Sequence, residues 1–180
     1  MLFQYIQSPA AAVMIRPHHF TSNPETATDN AFQSINTNET SEKIAAQARF
    51  EFDQAIQKMT DAGITVHVFD DFGECDTPDS VFPNNWFSTH QGGRIAMYPM
   101  HSPSRRRERR HDVMALLKQH YRVQEIVDYS GLEYDHLFLE GTGVMVFDHI
   151  ERVAYVGKSK RADPVILERF CTSFGYEPMV

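Results

Sequence analysis

Helix-ending signals at Gly63, Tyr121 and Gly175 recur about 55 residues apart, a period that marks a chain assembled from structural repeats. In the first pass, Ala12 to Ile15 is a short apolar run that reads as a buried strand, and the Asn-, Thr-, Ser- and Glu-rich stretch from Thr21 to Glu42 reads as a loop and helix start. Ile44, Ala48, Phe52, Ile56 and Met59 then recur at helical spacing, with Ser41 as the cap and Gly63 as the stop, and Ile64, Val66 and Val68 alternate as a strand closed by Asp70 and Asp71. The second pass has a hairpin, Trp86 to His90 and Ile95 to Tyr98, turning through Gly92 and Gly93. A helix stripe of Val113, Leu116, Leu117 and His120 follows, then a strand from Val123 to Val127. In the third, Val144 to Phe147 and Val153 to Val156 form the hairpin. Asp163 and Pro164 open a helix that buries Ile166, Phe170 and Phe174, and a strand begins at Tyr176.

The repeating unit is therefore strand, strand, helix, strand, an α/β class, with modules at roughly 11–70, 78–128 and 136–180 of one domain. The last module stops as its closing strand begins, so the expectation is a chain cut inside a repeat. Its open edges are then places where two copies could pair as a homo-oligomer. The alternative is simple fraying of the last residues.

Composition narrows the function. With 180 residues, a net charge of −7 and a pI near 5.7, the chain has the balance of one ordinary globular domain and lacks the positive field that nucleic acid or an anionic membrane demands. No apolar run approaches the roughly 20 residues of a membrane span, and Met1 to Pro9 has no secretory pattern, so a cytoplasmic location is expected. Cys75 and Cys171 are too few for a disulfide framework. The histidines show no metal-ligand spacing, so neither a metal nor another cofactor is expected. The run Arg105 to Arg110, with Glu108 and Asp112, reads as a solvated, ion-paired face.

Two loops precede the second and third hairpins at equivalent positions, Thr77 to Trp86 and Phe138 to Gly143. Aligned on Phe82 and Phe138, Asn84 falls on Glu140, so both loops would aim polar groups at the repeat axis. For Asn84 and Asn85 the competing reading is left-handed turn chemistry. For Glu140 it is an exposed carboxylate at a strand end, although an acid seldom enters an apolar run unpaired.

The segments Met14-Ile15-Arg16-Pro17, Pro78-Asp79-Ser80-Val81-Phe82, Phe82 to His90, Phe138-Leu139-Glu140-Gly141-Thr142-Gly143 and Val156 to Arg161 together resemble the guanidino-group-modifying superfamily of arginine deiminases, dimethylarginine dimethylaminohydrolases and amidinotransferases. They look most like its citrulline utilization hydrolase branch. The resemblance implies a pentein fold, an α/β propeller of five ββαβ modules of which this chain would carry about three. It implies covalent catalysis by a cysteine thiolate with a histidine proton shuttle, acting on the ureido or guanidino carbon of a small-molecule amino acid.

By resemblance Glu140 is the catalytic acid and Asp79 the substrate-binding aspartate, while Arg161 grips the substrate carboxylate with its fork. Phe20 and Asn23 line the substrate loop by position. Asn84 and Asn85 stand where relatives carry acids, and an amide suits a neutral ureido group, which favours citrulline over arginine. Thr142 and Gly143 also depart from the family's Gly and Asp. In the family pattern the catalytic His and Cys fall beyond Val180, so this chain is expected to be inactive alone. Cys171, beside Phe170 on a buried helix face, and Cys75, between acids, are poor substitutes. His136 lies four residues before Glu140 and could approach the pocket. The rival reading is a non-catalytic fragment that binds an amino acid or oligomerises.

Overall fold

In the computed structural model, which describes residues 6–27 and 40–180, the first apolar run forms β1 (Ala11–Pro17), paired in parallel with β2 (Thr65–Asp71). Parallel strands need a crossover, and α1 (Ser41–Asp61) supplies it. Free of Gly and Pro, α1 is rich in good helix formers. Its cap is Thr40 rather than Ser41: the Thr40 hydroxyl accepts from Lys43 N. Gly63 takes the left-handed turn after it, at φ +83°. Arg16 ties the layer together, pairing with Asp53 on α1 at 2.8 Å and with Asp70 on β2 at 3.0 Å.

The chain divides into two compact units. One comprises Ala10–Pro83 and Ser102–Val113 and contains the β1–α1–β2 layer. The other comprises Asn84–His101 and Met114–Val180 together with residues 6–9. In this second unit β3 (Phe87–His90) pairs antiparallel with β4 (Arg94–Met97), which pairs in parallel with β5 (Glu125–Asp128). The pattern repeats as β6 (Met145–Asp148), β7 (Val153–Val156) and β8 (Glu177–Met179), antiparallel and then parallel. In chain order the helices after α1 are α2 (Pro103–Arg106), which belongs to the first unit, α3 (His111–His120), whose first residues do, and α4 (Gly141–Val144) and α5 (Pro164–Phe174) of the second. Asp163 caps α5 through Val165 N and Ile166 N, Pro164 opens its first turn, and Gly175 closes it at φ +70°. Its buried face, Ile166, Phe170 and Phe174, packs with Leu139, Met145 and Tyr98, and the Phe170 ring stacks on Phe174 and Tyr176.

The α/β class and the recurring strand–strand–helix–strand order therefore hold for the second and third repeats. In the first, the described residues show one strand before the helix instead of two. Part of its polar stretch, residues 28–39, lies outside the described residues. On α3 the buried stripe is Val113, Met114 and Leu117, with His120 exposed. The arginine run is ion-paired as expected, Arg107 with Asp76 and Arg110 with Asp112, but it is solvated only in part: Arg105 and Glu108 are both 3% exposed and paired in bidentate fashion, because the short helix opened by Pro103 turns Arg105 inward. Among the described residues no helix is long and apolar enough to cross a membrane, and no group of His, Cys, Asp and Glu is placed to hold a metal ion.

Candidate functional site

The sequence-picked polar residues fall into two clusters, one in each unit. In the second unit the Leu-Glu-Gly turn is fixed by its backbone: Leu139 N donates to Pro99 O, Glu140 N to Arg161 O and Gly143 N to Glu140 O. Glu140 is fully buried, which removes the reading of an exposed strand-end acid. Its Oε1 accepts from His101 N at 2.9 Å, and its Oε2 lies 3.8 Å from Arg161 Nη1. The Arg161 side chain is 19% exposed, and among the described residues its guanidinium makes no hydrogen bond, only this loose ion pair. A buried carboxylate thus sits beside a cation that still reaches solvent.

Asn84 and Asn85 lie in a 3₁₀ turn, Pro83–Asn85, and neither adopts the left-handed backbone of the turn-chemistry reading. Their side chains meet the Leu-Glu-Gly turn instead. Asn84 Nδ2 donates to Thr142 Oγ1 at 2.7 Å and to Asn85 Oδ1 at 3.1 Å, and the Thr142 hydroxyl donates to Asn84 O at 3.3 Å. Asn85 is 8% exposed and lies against Gly143, where a Cβ would stand 2.7 Å from its Oδ1. Gly141, at φ +34°, approaches Asn84 O so closely that a side chain there would collide with backbone. The two loops aligned in the sequence are thus in contact, Asn84 and Asn85 against the turn that carries Glu140.

In the first unit Asp79 is held by its neighbours. Asp79 Oδ2 accepts from Asn23 Nδ2 at 2.7 Å and Thr26 Oγ1 at 3.4 Å, and lies 3.8 Å from Arg105 Nε. Asn23, 1% exposed, also donates to Ser104 Oγ, and its own Oδ1 accepts from Glu25 N. Its amide therefore orients Asp79. Glu25 in turn accepts from Ser104 N and Oγ, which holds its carboxyl below the usual carboxylate range. Phe20 lines a separate cleft of about 430 Å³ with His19, Asp71, Gly73, Thr77 and Pro78.

The remaining sequence candidates lie apart from these clusters. Cys171 is 3% exposed on α5, and burial pushes its thiol up to about 11, so it is inert at neutral pH. Cys75 is exposed, with its carbonyl accepting from Arg107. His136 is exposed, left-handed and caps a 3₁₀ turn. Sequence reasoning passed over Ser104 and the backbone donor of His101, and read Arg105 and Glu108 as part of an exposed ion-paired face. Only the i, i+3 spacing of that last pair was a readable signal.

A family model described as N,N dimethylarginine dimethylhydrolase, eukaryotic, matches residues 16–180. No curated protein matches. Among solved structures the chain is similar to the substrate-bound N-terminal domain of ArgZ, an arginine dihydrolase from the ornithine–ammonia cycle in cyanobacteria, with TM-score 0.64 and 17% identity, covering 94% of this chain and 56% of that one. It is similar to the dimethylarginine dimethylaminohydrolase of Pseudomonas aeruginosa complexed with citrulline, with TM-score 0.64 and 13% identity over 99% of this chain and 61% of that one. A dimethylarginine dimethylaminohydrolase adduct with S-methyl-L-thiocitrulline gives the same TM-score at 13% identity, over 94% of this chain and 59% of that one. This chain thus spans less than two thirds of their length, and at these identities the likeness is one of fold.

Proposed function

Because the chain belongs to the N,N dimethylarginine dimethylhydrolase family, within the guanidino-modifying pentein superfamily, we propose that it forms the substrate-holding part of a hydrolase acting on the ureido or guanidino carbon of an amino acid, with citrulline preferred to arginine. The observation that carries this reading is the pairing of buried Glu140 with the solvent-reaching Arg161, beside amides at Asn84 and Asn85. Arg161, with no hydrogen bond of its own among the described residues, can turn to a ligand carboxylate in a bidentate fork. Glu140, held by His101 N and desolvated, can take a ligand nitrogen. Asp79, in the first unit, keeps Oδ1 without a partner among the described residues, and a substrate-binding role for it rests on the resemblance alone.

The choice of a ureido group follows from charge. A guanidinium cation calls for carboxylates, whereas a ureido carbonyl needs a donor, and Asn85 offers an amide. The covalent step that the resemblance implies requires a thiolate, and Cys171, whose thiol burial pushes up to about 11, lacks the setting of one. The burial of Cys171 favours a second reading, an amino-acid-binding protein without turnover. Calorimetric titration with L-citrulline and L-arginine, beside an ammonia-release assay, separates the two. Binding of citrulline lost about tenfold or more in Glu140→Gln supports the site, since a charged hydrogen bond contributes about 1.5–3 kcal/mol. Ammonia release abolished by Cys75→Ala or Cys171→Ala would show that the chain carries its own nucleophile and would favour the hydrolase over the binding protein. Wild-type affinity in Glu140→Gln refutes the site.

A further inference from the structure

The geometry points to Thr142 as the specificity-determining positioning residue of this site: through Asn84 it fixes which end of the Asn85 amide faces a ligand, and that end is the donor. The inference rests on the functional reading above and deepens it.

An amide side chain can present either its carbonyl or its NH₂ group, and only its hydrogen bonds decide which. The decision here begins at Thr142. Its hydroxyl has one proton, and that proton is directed to Asn84 O at 3.3 Å, an acceptor that nothing but a donor can satisfy. The hydroxyl oxygen is then left as an acceptor, so the Asn84 atom 2.7 Å away is the donor Nδ2. The second proton of that Nδ2 is directed to Asn85 at 3.1 Å, and the atom receiving it is the acceptor Oδ1. Asn85 Oδ1 is thereby occupied. What Asn85 has left is Nδ2, which has no partner among the described residues in a side chain only 8% exposed.

Gly143 completes the arrangement, because a Cβ there would stand 2.7 Å from Asn85 Oδ1 and 3.0 Å from Nδ2 and push the amide out of place. The relay joins residues 58 positions apart, so it exists only where the two loops meet. An unpaired N–H donates to the carbonyl oxygen of a ureido group and opposes a guanidinium, which presents only N–H groups of its own.

Thr142 is exposed and outside the core, so the chain folds without its hydroxyl. L-Citrulline and L-arginine are titrated calorimetrically into the full chain as wild type, Thr142→Ser and Thr142→Val. The side-chain amide ¹⁵N resonances of Asn84 and Asn85 are recorded on the same samples without ligand. The expected result is a citrulline preference kept in Thr142→Ser and reduced at least about fivefold in Thr142→Val, with amide resonances displaced only in the valine variant. A valine variant with wild-type preference overturns the inference. A wild type that binds neither amino acid overturns the functional reading instead, and the amide resonances then decide the relay alone: displaced by valine but not by serine they support it, and unchanged they overturn it.

Discussion

Asn85 shows how much turns on one atom at the residue scale. Its Oδ1 is taken by Asn84, so replacing the amide by a carboxylate sets a second acceptor where the Nδ2 donor stood. Asn85→Asp is expected to weaken citrulline binding by about 1–3 kcal/mol, the usual cost of an unmet buried polar group, and to strengthen arginine binding. Titration with both amino acids checks this, and an unchanged ratio would leave the asparagines as mere turn formers. That these residues meet the Leu-Glu-Gly turn accords with the alignment of the two loops in the sequence. Their hydrogen-bond polarity was not readable there, because it depends on Thr142, which reaches them only in the folded chain. Asn23 is similar: its position suggested a lining residue, whereas its contacts make it the clamp on Asp79.

Elements were the most legible level. Helix α5 follows its local code, with Asp163 at the cap, Pro164 in the first turn and Gly175 at the stop, because each signal acts within a few residues of its own backbone. Asp163→Ala removes the acceptor for Val165 N and Ile166 N and is expected to cost about 1 kcal/mol, read as a lowered urea midpoint with an unchanged slope. A midpoint equal to wild type would mean water caps the helix equally well. The arginine run was legible only in part, its ion pairs but not the inward turn of Arg105, for a complementary reason. Its composition resembles a solvated face, but Ser102 and Pro103 begin a turn that directs Arg105 toward Glu108 and Asp79. Charge alone does not reveal whether a partner waits inside.

For the molecule as a whole, acid is the sensitive variable. Within the second unit a polar chain threads the aromatic core: Tyr98 Oη meets Ser88 Oγ at 2.6 Å, Ser88 meets His90 Nε2 at 2.7 Å, and Tyr176 Oη bridges His90 Nδ1 and His149 Nδ1. Burial drives the His90 pKa down to about 3 from its ordinary 6.5, and burial lowers His149 too. The folded imidazole stays neutral while the unfolded one takes a proton below pH 6.5, so stability falls as pH drops from 6.5 towards 3. His90 alone is expected to cost about 2 kcal/mol between pH 7 and pH 5. Urea unfolding at the two pH values measures it, and a His90→Gln chain with the same pH loss would refute the assignment. By itself the sequence determined the second and third repeats, the cap of α5 and the two hairpins, since these follow from periods of 2 and 3.6 residues and from turn chemistry close at hand. Only the tertiary structure decided that Glu140 is buried beside Arg161, that Arg105 turns inward, and that Thr142 orients Asn84 and Asn85. Those outcomes depend on distant segments excluding water from shared polar groups, and desolvation is a property of the packed molecule.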